Sequence, residues 1–273
     1  MEHTTLSTTT LHAPSEPTAL FVLVPGLGTD VASTWAHTAA HLVDGGAAAG
    51  PQVIGVDLPG HGLSAPWTDA PAEPTMSALG NLLVEAVVEH RARRPELTEV
   101  PVSAAGTSLA GGLMLQLGID HPDRFARLVV VGGAPRFGDP QTWIERAETI
   151  RAAGTASLAE GSAGKWFTED FRREHAHEVE AVLDSLRTAD DASYAALCSV
   201  QSRFDLRDRL SEVAVPVLAV AGEHDPVAPP EQAETIAAGV PQGSATTVPG
   251  VAHQIPTQKP AETAELLRGF LQG

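Results

Sequence analysis

Short apolar runs alternate with segments of helical periodicity along most of this chain, and that alternation restricts the fold more than any other feature. Ala19–Val24 (Ala-Leu-Phe-Val-Leu-Val) is continuously apolar, as a strand buried on both faces should be. It breaks at Pro25-Gly26-Leu27-Gly28, and a short helix is expected over Trp35–Val43. Gln52–Val56 is a second buried strand. Met76–Arg94 carries Leu79, Leu82, Leu83, Ala86 and Val87 at helical spacing and ends in basic residues before Pro95, a favourable helix terminus. A further strand opens near Val100, a helix runs from there to about Ile119, and Arg127–Val131 is a strand stopped by Gly132-Gly133. Strand, helix, strand, helix in this order predict a mostly parallel central sheet flanked by helices, an α/β fold. Residues 1–18, rich in threonine, read as one or two edge strands or as loose chain.

From Asp139 to about Leu210 the pattern changes. No buried strand is visible, and helices are expected around Trp143–Ala152, Ala156–Ala159, Thr168–Leu186 and Ala192–Arg203. Alternation then resumes with a strand at Val215–Ala221, a helix at Pro230–Ala238, a strand at Ala245–Val248 and a closing helix at Ala261–Leu271. The expected organisation is a core over residues 1–134 and 211–273, interrupted by an all-helical cap over 135–210. A chain of 273 residues, 43% hydrophobic, can bury one large core with such an insertion.

The formal net charge of −17 repels nucleic acid and anionic membrane surfaces. It also repels an anionic substrate at long range, so such a substrate would need local arginines. The single cysteine, Cys198, excludes an internal disulfide, fits a reducing compartment, and reads as a small core residue on a helix. The N-terminus shows no basic region followed by an apolar run, and no apolar stretch is long enough to span a bilayer. A cytoplasmic location is expected. No metal-ligand spacing is visible, and Gly26-Leu27-Gly28 lacks the spacing of a dinucleotide fingerprint, so neither metal nor cofactor is expected.

The candidate chemistry starts at Val100–Gly112. Small residues at Gly106 and Ala110 flank Ser108 in a strand–turn–helix pattern, which would let strand and helix pass closely and push the serine hydroxyl out above the sheet. Ligands of open parallel sheets sit at the carboxyl ends of the strands. After Val215–Ala221 come Glu223 and Asp225; after Val248 comes His253. Ser108 as nucleophile, His253 as base and Asp225 as the acid orienting it would form a triad. Glu223 competes with Asp225; the Asp-Pro turn places Asp225 furthest from the strand and favours it. The expected oxyanion donors are the backbone N–H groups of Leu109 and, from the loop after Val24, Leu27. His61, in Pro-Gly-His-Gly, reads as a turn histidine bonded to nearby backbone.

Asp57-Leu58-Pro59-Gly60-His61-Gly62-Leu63-Ser64, the Ser108 turn, Ala221-Gly222-Glu223-His224-Asp225 and His253 together resemble the α/β-hydrolases, whose triads follow the same chain order. Within that superfamily the chain most resembles the 3-oxoadipate enol-lactonases, through Arg136-Phe137-Gly138-Asp139-Pro140-Gln141-Thr142-Trp143, Lys165-Trp166-Phe167-Thr168, Tyr194-Ala195-Ala196-Leu197-Cys198 and Phe204-Asp205-Leu206-Arg207. Pro25, where many relatives carry histidine or asparagine, and Ala110, where the turn more often has glycine, depart from the pattern. The resemblance implies an α/β-hydrolase fold and a small anionic substrate, a five-membered enol-lactone bearing a carboxylate, opened through an acyl-enzyme to 3-oxoadipate. It suggests Arg136 as partner of the substrate carboxylate and Trp143 as a pocket wall. A carboxylesterase or C–C bond hydrolase with the same triad, or a cofactor-free oxidoreductase of the same fold, are the alternatives. A homo-oligomer is compatible with the sequence.

Overall fold

A computed structural model of the chain describes residues 3–43 and 47–272. The described residues form a seven-stranded sheet: β1 (Thr8–His12), β2 (Glu16–Val24), β3 (Ala49–Val56), β4 (Val102–Thr107), β5 (Arg127–Val131), β6 (Val217–Gly222) and β7 (Gly243–Val248), in the order β1-β3-β2-β4-β5-β6-β7. Only β1 runs antiparallel to its neighbour; every other pairing is parallel. The Thr-rich segment therefore supplies one edge strand, β1, and extends β2 by Glu16-Pro17; Met1 and Glu2 lie outside the described residues.

The continuous apolar runs feed two cores because side chains alternate across a strand. In β2, Leu20, Val22 and Val24 face the layer of α2 (Met76–Ala92) and α3 (Leu109–Asp120). Phe21 and Leu23 face α1 (Val31–Leu42) and the closing helix (Pro260–Leu271) with Trp35 and Leu267. Helix α1 begins four residues before the expected Trp35. Asp30 caps it, its carboxylate accepting from the Ser33 N–H at 2.7 Å, and Val31 follows directly.

Between β5 and β6 the chain runs through α4 (Pro140–Ala153), α5 (Ala159–Trp166), α6 (Glu169–Glu174), α7 (Ala176–Thr188) and α8 (Asp191–Arg203). Asp139 at the N-cap and Pro140 at the first turn start α4 earlier than expected. The single helix expected over Thr168–Leu186 is divided at His175, where the Phe171 ring stacks between Phe167 (5.6 Å) and His175 (4.4 Å). Cys198 is buried on α8, and burial pushes its thiol up to about 12. These helices bond directly to loops of the sheet layer: Asp190 N–H donates to the Gly60 carbonyl (2.8 Å), Trp67 N–H to Ser193 Oγ (2.9 Å) and Gln254 N–H to the Trp166 carbonyl (2.9 Å).

A buried histidine on α2 is expected to make stability sensitive to acid. His90 Nε2 accepts from the Gln52 amide at 2.9 Å and Nδ1 lies 3.4 Å from Thr8 Oγ1, joining α2, β3 and β1. Burial, with repulsion from Arg94 and Arg93, holds its pKa below 6.5. The unfolded chain therefore takes up this proton first, and the contribution of His90, full above pH 6.5, is lost as pH falls through the folded value. His3, raised by its contact with Glu85, acts with the opposite sign. In His90→Gln, whose amide oxygen still accepts from Gln52, urea midpoints at about pH 7.5 and about pH 5.5 should differ less than in the parent. An equal difference would acquit His90.

Candidate active site

Ser108 sits between β4 and α3 at φ 53 and ψ −118, the one non-glycine with positive φ among the described residues. Such a conformation costs of order 1–3 kcal/mol and persists only where its surroundings enforce it. Here the Ser108 N–H donates to the Val131 carbonyl (2.9 Å) and the Ser108 carbonyl accepts from Gly112 N–H (3.2 Å). A Cβ at Gly106 would run into the backbone carbonyl of Ala110, so strand and helix can cross only if residue 106 has no side chain. Ala110 is fully buried, and the crossing accommodates its methyl group. Gly106→Ala should therefore destabilise by about 2–3 kcal/mol, the upper range for overpacking, read as a drop in the urea midpoint. Parent-like stability would mean that the turn is not tightly packed.

Asp225 follows β6. Its Oδ1 accepts from the Val227 N–H (2.8 Å) and the Ala228 N–H (3.1 Å), which leaves Oδ2 for the His253 Nδ1–H at 2.8 Å. Both side chains of that pair are almost wholly buried. With its proton on Nδ1, His253 has a bare Nε2. Glu223, the competing acid, is half exposed; its Oε2 accepts from the Gly250 N–H at 2.8 Å and braces the loop that carries His253.

Ser108 and His253 line one cavity of about 370 Å³ together with Leu27 and with Trp143, Arg146, Lys165, Trp166 and Tyr194 from the helices between β5 and β6. The Ser108 side chain makes no capping bond to α3, and the Leu109 N–H lies in the first turn of that helix, where amides lack intrahelical acceptors. On the other side, the Gly26 carbonyl accepts from the Thr29 N–H (3.1 Å) and Thr29 Oγ1 (3.0 Å). Because a trans peptide points its N–H opposite its C=O, the Leu27 N–H is turned away from that bend.

Trp143 lines the cavity, its Nε1–H donating to the Phe137 carbonyl at 2.7 Å. Arg136 does not line it. Its guanidinium lies 3.7 Å from Asp205, which also pairs with Arg207. The cations at the cavity are Arg146, 5.4 Å from the Trp143 ring centroid, and Lys165. Arg146 carried a sequence signal: it lies three residues after Trp143 on one helix and so shares its face.

His61 is buried and wholly engaged. Its Nδ1–H donates to the Pro59 carbonyl (2.8 Å), as the sequence suggested; unforeseen, its Nε2 accepts from the Gly28 N–H at 3.0 Å. Burial lowers its pKa, which keeps the ring neutral. Among the described residues no group of three or more His, Cys, Asp or Glu side chains is arranged to hold a metal ion, and no helix is long and apolar enough to cross a membrane.

Residues 21–266 match the model of the alpha/beta hydrolase family. The chain belongs to the alpha/beta hydrolase family. Within it the chain is similar to 3-oxoadipate enol-lactonase 2 of Acinetobacter baylyi, 30% identical over 177 residues that cover 64% of this chain and 62% of that enzyme. It is also similar to 3-oxoadipate enol-lactonase 1 of the same organism, 25% identical with 81% and 79% covered. A pimeloyl-[acyl-carrier protein] methyl ester esterase of Aromatoleum aromaticum is 27% identical, with 79% and 86% covered. The crystal structure of the enol-lactonase from Burkholderia xenovorans LB400 superposes with a TM-score of 0.87 at 25% identity, covering 99% of this chain and 97% of that one.

Proposed function

We propose that this alpha/beta hydrolase is a serine hydrolase that opens a small carboxylate-bearing enol-lactone, 3-oxoadipate enol-lactone yielding 3-oxoadipate. The observation that carries the reading is the cavity itself: Ser108, His253 and Leu27 line it beside two cations, Arg146 and Lys165. Ser108 Oγ attacks the lactone carbonyl carbon while His253 Nε2 takes the hydroxyl proton. Asp225, held by two backbone amides, stabilises the resulting imidazolium. The carbonyl oxygen becomes an oxyanion and is met by the N–H groups of Leu109 and Leu27; one such donor contributes about 3 kcal/mol to the transition state. Collapse breaks the ring C–O bond and expels an enolate, which takes the His253 proton and ketonises. Water, deprotonated by His253, then attacks the acyl-enzyme and releases the dicarboxylate with Ser108 restored.

The substrate carboxylate cannot be buried unpaired. Arg146 and Lys165 are its partners in this reading, in place of Arg136, which Asp205 already neutralises in part. The helices of residues 135–210 act as the selecting cap over the core of 1–134 and 211–273, in the cytoplasm. Purified protein given the enol-lactone and, separately, an aryl acetate tests the proposal: lactone loss that greatly exceeds ester cleavage supports it. The second reading, a carboxylesterase acting on an acyclic ester rather than a lactone, is favoured by the likeness to the methyl ester esterase. Cleavage of the ester with no action on the lactone would select it.

A further inference from the structure

The loop after β2 is held at Gly28 by two bonds of unequal strength. The Gly28 carbonyl accepts from Ser185 Oγ at 3.3 Å, but that hydroxyl has one proton and lies closer, 2.7 Å, to the Val182 carbonyl. The Gly28 N–H donates to His61 Nε2 at 3.0 Å. His61 has little freedom to follow the loop if it moves. Its Nδ1–H is committed to the Pro59 carbonyl, and its ring stacks on Tyr194 of α8 at 6.0 Å and 22°. Gly28 itself is at φ 80, and a Cβ there would lie 2.6 Å from Leu186 Cδ1. The loop is therefore pressed between the cap helices above and the histidine beside it.

The peptide whose N–H His61 holds begins at Leu27, the residue whose own N–H is the second oxyanion donor of the proposed mechanism. Ser108 lies against the same loop: a Cβ at Gly26 would lie 3.0 Å from Ser108 Cβ. Rotation of the Leu27–Gly28 peptide alters the backbone of Leu27 and so the aim of that donor. We infer that His61 is a positioning residue for this hydrolase: by holding the Gly28 amide on its bare Nε2 it fixes the Leu27 N–H toward the developing oxyanion, and by its stack on Tyr194 it ties that aim to the cap. The inference rests on the serine-hydrolase reading. It assigns His61 no contact with substrate and no part in proton transfer.

The test compares His61→Phe, which keeps a ring against Tyr194 and removes the acceptor, with His61→Gln, whose Oε1 can take the place of Nε2. Loss of an oxyanion-hole donor lowers kcat by roughly 100- to 1,000-fold, and misalignment should produce a tenth of that or more. His61→Phe is therefore expected to lower kcat by about 10- to 100-fold with KM within about threefold of the parent. An alkyl boronic acid, which forms a tetrahedral anionic adduct with Ser108, should lose affinity by a similar factor, whereas the product dicarboxylate should bind as before. His61→Gln should recover most of both losses. If His61→Phe does not fold, His61→Gln is compared with His61→Asn, whose shorter amide cannot reach Gly28; active glutamine and impaired asparagine variants carry the same conclusion. Parent-like kcat in His61→Phe, equal activity of the glutamine and asparagine variants, or parallel loss of boronate and product affinity overturns the assignment. Ser108→Ala run alongside separates the two claims. If it abolishes turnover while His61→Phe does not lower it, only the role of His61 falls; if it leaves turnover intact, the underlying reading falls with it.

Discussion

Ser108→Ala will lower kcat on the enol-lactone by about 10,000-fold or more, with the protein still folded. The expected activity loss follows from removing the atom that, in the proposed mechanism, forms the acyl-enzyme. The folding expectation follows from the local geometry: the Ser108 side chain caps nothing on α3, and alanine meets the same positive φ that serine already tolerates there. His253→Ala should have a comparable effect. Asp225→Asn should cost about the same, because an amide at that position no longer requires the Nδ1–H tautomer. The three losses should not add, since the groups act as one unit; the triple variant should resemble the worst single one. Single-turnover assays with an activated ester check this, because the parent releases its alcohol in a burst and the serine variant does not. Ser108→Ala turning over within about tenfold of the parent would contradict the proposed chemistry.

Removing both cations from the cavity will lower kcat/KM for the carboxylate-bearing lactone by about 100-fold or more, mainly through KM, while a neutral ester of similar size is cleaved within about threefold of the parent rate. A hydrogen bond to a charged group is worth about 1.5–3 kcal/mol, so Arg146→Met and Lys165→Met should each cost roughly 10- to 100-fold. The stake is raised by the protein's own field. At a net charge of −17 the molecule repels an anion at long range, so Arg146 and Lys165, which line the cavity together with one carboxylate, Asp139, would have to supply the local attraction. Arg146 has the better fixed position, since its guanidinium rests near the Trp143 ring, which is itself held by the Phe137 carbonyl. Arg136→Met is the control and should change kcat/KM for the lactone less than threefold, because its charge is turned to Asp205. Loss of discrimination in Arg136→Met, with none in Arg146→Met, would return the role to the junction residue.

The sheet and its loop ends were legible because a parallel strand buried on two faces must be continuously apolar, and the polar residues that follow it have few places to go. Ser108, Asp225 and His253 were chosen as candidates on that logic; Ser108 and His253 line one cavity, and Asp225 is bonded to the imidazole. What could not be read is what depends on packing between distant elements. Arg136 sits near the right place in sequence, but it lies in the loop before α4 with its guanidinium 3.7 Å from Asp205, whereas Arg146, on α4 itself, lines the cavity. The second partner of His61 lies 33 residues away, and no local pattern announces a bond from a histidine ring to the Gly28 amide. The break between α6 and α7 falls at His175, the C-cap of one helix and the N-cap of the next, and no proline or glycine marks it in the sequence.

The helices between β5 and β6 supply Arg146, Lys165, Trp143 and Tyr194, whereas Ser108, Asp225 and His253 come from loops after β4, β6 and β7. In the proposed chemistry, bond-breaking falls to two segments that flank these helices, and ligand choice falls to the one stretch between them. One stretch can be rewritten to admit a new acid or a neutral ester while the reactive groups stay where the sheet puts them. Such grafting is constrained: the incoming segment must leave a flat ring beside His61, must not crowd Gly28, and must replace the bonds that Asp190, Ser193 and Trp166 make to Gly60, Trp67 and Gln254.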